Sequence, residues 1–351
     1  MNNEFHTIVT KKTVFASAPC RVDLGGTVDI GVFYYPLSHV GPVTFNIALD
    51  MRTSVQISPN TPGFVKVSST GFTPAEFHID EMPFDHPMGL VFAIAAYFRI
   101  DGIHIEIASS SPPKSALGGS SVAAVAVIAA LNELMRLAGK NTLDLDAIPL
   151  LAHALEETVA GVPCGCQDQM AAAYGGVNAW YWKGRGRDRW FERKQVLSEK
   201  DYPWINERML VAYCGAQHDS KEINGMWIKH FIDGTCRRQW TDIIHSTRAF
   251  IDAFAAGDVS SAVAWMNRET DIRREMTPNV LDDIGEKLVA AARQNDCGAR
   301  FAGAGGGGCL WAFGEPGRLV AVKSAWESIL DTRKDARLLN ASVDMAGVSA
   351  F

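Results

Sequence analysis

The sequence predicts an α+β chain folded as two lobes, and three observations carry that reading. Short strand-like runs separated by turns fill the first 110 residues, and apolar residues at three- and four-residue spacing dominate from 120. From 298 onward the pattern returns to strand, helix and strand. A chain of 351 residues, 47% hydrophobic and 21% charged, is long enough to build both lobes around packed cores.

TVFASAP, PVTFNIALD, RTSVQISP, FVKVSS and IHIEIAS at 103–109 read as strands, being short β-branched runs bounded by turn residues. MGLVFAIAAYFRI at 88–100 interrupts them as a helix. Beyond residue 120 come two amphipathic helices, SSVAAVAVIAALNELMRLAG and LDAIPLLAHALEETVAG. GGVNAWYW and RWFERKQV pair as strands across the basic turn KGRGRDR, RMLVAYC is a buried strand, and helices follow to about 295. GARFAGAGGGGCLWAFGE holds two short apolar strands around four glycines, before a last helix and the strand-like RLLNASV. The lobes divide near 185–205, where KGRGRDR and SEKDYPW are the most polar stretches, giving lobes of 1–200 and 201–351. No internal repeat or low-complexity tract is visible.

Composition excludes several function classes. A net charge of -6, with Lys and Arg scattered, offers no basic surface for nucleic acid. MNNEFHTIVTKK lacks the apolar core of a signal peptide, and no apolar run reaches the ~18 residues a bilayer span requires, so no membrane partner and a cytoplasmic location are expected. Seven cysteines occur without a C-x-x-C pair, and Cys164 and Cys166 have no neighbouring His or Cys cluster, which reads as reduced structural thiols.

SSPPKSALGGSSVAAVAV at 109–126 is the stretch that points to chemistry. A strand, a glycine-bearing turn and a helix start make an anion site, because first-turn amides face the ligand and the helix dipole favours negative charge. Gly118 and Gly119 let the backbone approach a phosphate, while Ser120 or Ser121 either caps the helix or reaches a phosphate-bound Mg2+. By itself such a turn is usually just a capped helix. It is neither the Walker pattern nor G-x-G-x-x-G.

Four stretches together resemble the motifs of the GHMP kinases, the superfamily of galactokinase, homoserine kinase, mevalonate kinase and phosphomevalonate kinase. APCRVDLGGTVD at 18–29 is similar to the opening A-P-x-R segment, PPKSALGGSSVA at 112–123 to the P-x-x-x-G-L-G-S-S loop, and FAGAGGGGC at 301–309 to the third motif. EETVAGVPCGCQDQ at 156–169 resembles the galactokinase-type segment ending in Gly-x-x-Asp-Gln. The glycine run and GAQHDSKEIN at 215–224 look more like the heptose-phosphate and fucose kinase branch.

The resemblance implies an ATP- and Mg2+-dependent sugar kinase, with an N-terminal α/β lobe carrying the phosphate loop and a C-terminal ferredoxin-like lobe. Leu117, Gly118, Gly119, Ser120 and Ser121 would wrap the ATP phosphates, with Ser120 also holding Mg2+ alongside Glu156; Glu157 is one residue out of register and Ser121 is the second choice. Asp168 would be the base and Arg21 its companion, keeping the carboxylate ionised and offsetting phosphoryl charge. Asp23, Thr27 and Asp29 compete for sugar hydroxyls, because RVDLGGTVD is about one residue shorter than the usual segment. Gly305 and Gly306 would support the loop and contact substrate, and His218, Ser220, Lys221 and Asn224 are placed to reach a sugar or its phosphate. Lys114 and Ala116 stand where glycines are common, Lys114 facing solvent. The expected partners are a sugar or sugar phosphate, a heptose 7-phosphate or fucose-like hexose above galactose, and a second copy of the chain. The rival reading is a sugar- and nucleotide-binding regulator without catalysis.

Overall fold

The computed structural model describes residues 4–161, 163–184, 190–216 and 220–351. Helix α1 (Glu4–Lys11) precedes β1 (Val14–Leu24), which runs through TVFASAP and on into the CRVDL of the first motif. After the short α2 (Gly31–Tyr34) comes β2 (Val43–Pro59), one long strand where the sequence suggests two. The break between those two runs is a bulge: the pairing of β1 with β2 jumps from Pro19↔Arg52 to Cys20↔Leu49, so the strand bends without ending. Then follow β3 (Phe64–Ser69), β4 (Ala75–His78), α3 (Gly89–Phe98), β5 (Ile103–Ser109), α4 (Gly119–Leu137), α5 (Ala147–Ala160), α6 (Gln167–Tyr174), β6 (Val177–Trp182) and β7 (Phe191–Leu197).

The remaining elements are α7 (Tyr202–Asn206), β8 (Met209–Tyr213), α8 (Ser220–Ile232), α9 (Arg237–Ala255), α10 (Val259–Met276), α11 (Asp283–Gln294), β9 (Gly298–Phe301), β10 (Cys309–Phe313), α12 (Pro316–Leu330), β11 (Arg337–Leu339) and β12 (Ser349–Ala350). They make the architecture the sequence predicts. One sheet runs β12-β1-β2-β5-β3-β4, with β6 on the other half of β2 and β7 beyond it; the second runs β11-β8-β10-β9. Only β3 and β5 pair in parallel among these strands.

Helix α4 lies against β1 and β2 and is flanked by α3, α5 and α6, which buries its Ala/Val face. It is the single helix among the described residues with the length and apolarity to cross a membrane, and here that apolarity faces protein core. Aromatic contacts join the two sheets: Phe45 of β2 meets Phe250 of α9 at 5.1 Å, and Phe254 meets Phe313 of β10 at 5.1 Å. RLLNASV forms a strand only at β11. The chain then leaves the second sheet, bridges Leu49 at Val343 and lays β12 beside β1. Arg52 pins this return segment by donating to Ser17 O at 2.8 Å and Gly347 O at 2.7 Å, and by pairing with Asp344.

A buried ladder of charges ties β1 to the second lobe. Arg300 of β9 reaches Asp23 Oδ2 at 3.1 Å and Glu269 Oε2 at 2.8 Å; Glu269 also takes Arg273 Nε at 2.9 Å, and Arg273 donates to Gly26 O at 2.5 Å. All four side chains are fully buried. The Arg273 guanidinium sits 4.7 Å from the ring centres of both Trp227 and Trp240, satisfying its faces by cation–π contact. Burial works to raise the Glu269 pKa, but the two guanidiniums outweigh it and hold the carboxyl below its ordinary 4.5.

Glu269→Ala leaves the buried Arg273 without its carboxylate and Arg300 with Asp23 alone, and we expect it to cost about 3–5 kcal/mol in a urea titration. A loss below about 1 kcal/mol would show that the ladder does not hold the lobes. Because the folded pKa is depressed, the Glu269 contribution is complete above pH 4.5 and is lost as pH falls through the lower folded value.

Candidate functional site

The glycine-serine turn is not a simple capped helix. Gly118 takes the left-handed conformation at φ 82°, and no side chain caps α4. Instead both serine hydroxyls turn to α5: Ser120 Oγ donates to Glu156 Oε1 at 2.6 Å and Ser121 Oγ to Glu156 Oε2 at 2.7 Å. Of the two candidate carboxylates it is Glu156 that the serines meet. Gly119 and Ser120 are exposed, so the helix start faces outward with its dipole uncompensated by a cap. Leu117 contributes backbone only, since its side chain is buried and its carbonyl accepts Arg21 N at 3.3 Å.

Lys114 and Ala116 adopt φ of 51° and 63°, the left-handed region where glycine carries no Cβ penalty. The loop therefore keeps a glycine-like shape with non-glycine residues, and its surroundings hold it there. Arg21 Nη1 donates to Ala116 O at 2.6 Å, and Cys309 N donates to Ser115 O at 2.8 Å. Lys114 is exposed, as expected.

All four glycines of the 305–308 run have positive φ, of 80°, 78°, 127° and 79°. A Cβ on Gly308 would sit 2.7 Å from Ser115 O, and one on Gly306 2.5 Å from Ile223 Cδ1. The run is thus a platform beneath the glycine-serine loop. Gly305 is buried, and a Cβ on it would meet Val280 and Phe301. Gly306 is half-buried beside α8 and its amide donates to Val280 O at 2.7 Å.

Asp168 lies in the first turn of α6, facing β1. Arg21 Nε and Nη2 converge on its Oδ1 at 2.8 and 2.7 Å, while Oδ2 lies against the backbone of Gly118. Burial dominates the Asp168 carboxyl and pushes its pKa up; Arg21 opposes that, and Asp23 adds to it. For Arg21, burial favours the neutral form, yet the Asp168 and Asp23 carboxylates more than offset it and raise the pKa. Asp168 is 23% exposed and Arg21 only 3%, so solvent reaches the carboxylate while its guanidinium partner is sealed behind it.

Asp29 is 2% exposed. Its Oδ2 accepts Gln167 N at 2.9 Å, and its Oδ1 is buried without a hydrogen-bond partner. Burial raises its pKa to about 6, with the Gln167 amide opposing and Asp168 adding. Thr27 holds φ 75° and lies 3.5 Å from Asn224 Oδ1, so α8 closes onto the first motif there. The expected role of Asp23 as a sugar contact is corrected: it is fully buried, its Oδ2 is taken by Arg300 and its Oδ1 by Gly303 N at 2.6 Å. His218 lies outside the described residues, as do the side chains of Ser220 and Lys221.

Three residues escaped the sequence reading. Gln167 and Asn46 each have a buried carbonyl oxygen with no partner, and Gln169 Nε2 donates to Glu156 Oε2 at 2.7 Å. Both glutamines flank Asp168 in GCQDQ, so position beside the candidate base was the available signal. Among the described residues no group of three His, Cys, Asp or Glu side chains could cage a metal. One carboxylate and one hydroxyl, Glu156 and Ser120, suit Mg2+, which takes most of its ligands from phosphates and water. All seven cysteines are free thiols.

Comparison with known proteins matches residues 87–176 to the family model of the GHMP kinases N terminal domain and 250–331 to that of the GHMP kinases C terminal. A mevalonate kinase of Pyrococcus horikoshii is 28% identical over 339 residues, covering 90% of this chain and 92% of its own length. A galactokinase of a Roseiflexus species is 32% identical over 139 residues, 37% of this chain and 34% of that protein. The crystal structure of a D-glycero-D-manno-heptose 1-phosphate kinase from Bacteroides thetaiotaomicron shares the fold, with a TM-score of 0.73 at 16% identity over 96% of this chain and 98% of that one.

Asp29 yields a stability prediction. Its folded pKa of about 6 exceeds the ordinary 3.8, so the folded state holds the proton more tightly; stability is greatest below 3.8 and declines as pH rises to about 6. Asp29→Asn should therefore stabilise the ligand-free protein at pH 8 by up to about 3 kcal/mol, with the gain shrinking toward pH 4. Urea midpoints at both pH values measure it. A destabilised variant at pH 8 would show that the buried carboxylate is satisfied after all.

Proposed function

The chain belongs to the GHMP kinase superfamily, and we propose that it transfers the γ-phosphoryl group of ATP to a hydroxyl of a monosaccharide or sugar phosphate. We favour a heptose 7-phosphate or a fucose-like hexose as the acceptor. The observation that carries this reading is the packing of Asp168 between Arg21 and Gly118, with the Ser120–Glu156 pair at the same helix start. Phosphoryl transfer needs phosphates held, charge neutralised and an acceptor oxygen aligned, and each need has a candidate group here.

In this proposal the backbone of 117–121 receives the nucleotide phosphates, and Ser120 and Glu156 hold Mg2+, whose chemistry is to neutralise phosphate charge. Asp168 accepts the proton of the acceptor hydroxyl through the face not engaged by Arg21. Burial raises its pKa, which strengthens it as a base, while the Arg21 guanidinium favours its ionised form. Arg21, behind Asp168, also offsets at a distance the charge that grows on the transferred group. Gly305–308 support the loop, Asp23 belongs to the ladder, and Thr27 and Asp29 remain as acceptor contacts. The division into lobes of 1–200 and 201–351 is part of the same proposal, with β12 as the segment that returns to the first sheet.

The unpartnered Oδ1 of Asp29 favours a polyol. A hydroxyl donates a hydrogen bond to it, whereas a carboxylate brought beside Asp29 and Asp168 adds like charge in a poorly solvated place. The mevalonate kinase likeness over 90% of the chain supports a second reading, with mevalonate as acceptor.

ATP consumption measured with Mg2+ against free sugars, sugar phosphates and mevalonate separates these readings. Asp168→Asn should lower kcat on the accepted substrate by about 10²–10⁴-fold while KM for ATP moves little. Unchanged turnover in that variant removes Asp168 from the role of base; no turnover by the parent across the panel favours a binding protein; turnover on mevalonate alone replaces the sugar.

A further inference from the structure

We propose that Gln169 is a positioning residue that fixes the orientation of the Glu156 carboxylate, leaving its oxygen at Ser120 with lone-pair capacity, and couples that carboxylate rigidly to the turn bearing Asp168. The inference rests on the kinase reading above. Glu156 receives three donors, and they are distributed unevenly: Ser121 Oγ and Gln169 Nε2 both reach Oε2 at 2.7 Å, and Ser120 alone reaches Oε1 at 2.6 Å. Oε2 is thereby saturated from the protein side. Oε1 keeps lone-pair capacity and lies beside the hydroxyl of Ser120, whose proton points at Glu156 and whose lone pairs point away.

That polarity is what a hard cation requires of an outer shell, since donors to one carboxylate oxygen orient the other. Gln169 is suited to the task by its own constraint. It is 1% exposed on α6, so its amide has little rotamer freedom, and it follows Asp168 directly in sequence. One helical turn thus carries the group proposed to take the proton and the group that holds the proposed cation carboxylate. The same turn is tied to β1 through the Arg21–Asp168 pair. A glutamine that only neutralised a buried acid would act on the fold alone; this one, by its placement, acts on the distance between two sites.

Calorimetric titration of the intact protein with ADP, in excess Mg2+ and again with EDTA, tests it. Gln169→Met keeps side-chain length without the donor, and Gln169→Asn keeps the amide but withdraws it by one carbon. Both should weaken ADP binding in Mg2+ by about 10-fold or more, leaving metal-free ADP affinity within about twofold. Retained Mg2+-dependent affinity in both variants overturns the proposal, as does an equal loss with and without the metal, which is the mark of a structural role. If the parent shows no Mg2+-dependent affinity for ADP, the kinase reading itself falls, and this inference with it.

Discussion

The fold depends on keeping a row of charges out of water between its two lobes. Asp23, Arg300, Glu269 and Arg273 alternate in sign, each within hydrogen-bond distance of the next, in a region where an uncompensated charge is very costly. Their alternation is the solution to that cost. It also fixes the position of the first motif, because Asp23 accepts Gly303 N while Arg273 holds Gly26 O. The segment from Asp23 to Asp29 is therefore suspended from the second lobe at two points, and Arg21, two residues upstream, is aimed from that anchor.

From this anchoring follows an electrostatic arrangement in which carboxylates outnumber their partners around the candidate site. Arg300 satisfies Asp23 and Arg21 satisfies Asp168, but Asp29 has only a backbone amide. The molecule holds a local instability at Asp29 and a strained backbone at Thr27, Lys114 and Ala116, all within the candidate site and its loop. Such strain persists only where the surroundings over-determine it. The glycine platform below the loop and the Ala116 carbonyl bond to Arg21 supply that determination.

Local motifs were readable from sequence to the extent that their chemistry is local. The glycine-serine turn, its helix, Arg21, Asp168 and Glu156 come together as the motifs implied, since each lies in a segment whose residue types restrict its shape. Long-range partners were not readable. Asp23 looked like a sugar ligand until Arg300, 277 residues away, was found on it. Two predicted strands became β2 because a bulge bends a strand without the turn residues that announce an end. Gln169 was invisible for the same reason as Asp23: its meaning lies in a partner on another helix.

The return of the chain to its first sheet has a kinetic consequence. Ser17 and Ser349 are 332 positions apart yet face each other across β1 and β12, and Val348 N closes onto Ala173 O at the end of α6. Loop-closure entropy makes such a contact late in folding, and on the ribosome it cannot form until nearly all of the described chain has emerged. The short helix that bears Asp168 thus receives its last restraint after everything else is in place. A nascent or prematurely terminated chain, however well its core has condensed, lacks the clasp on that helix.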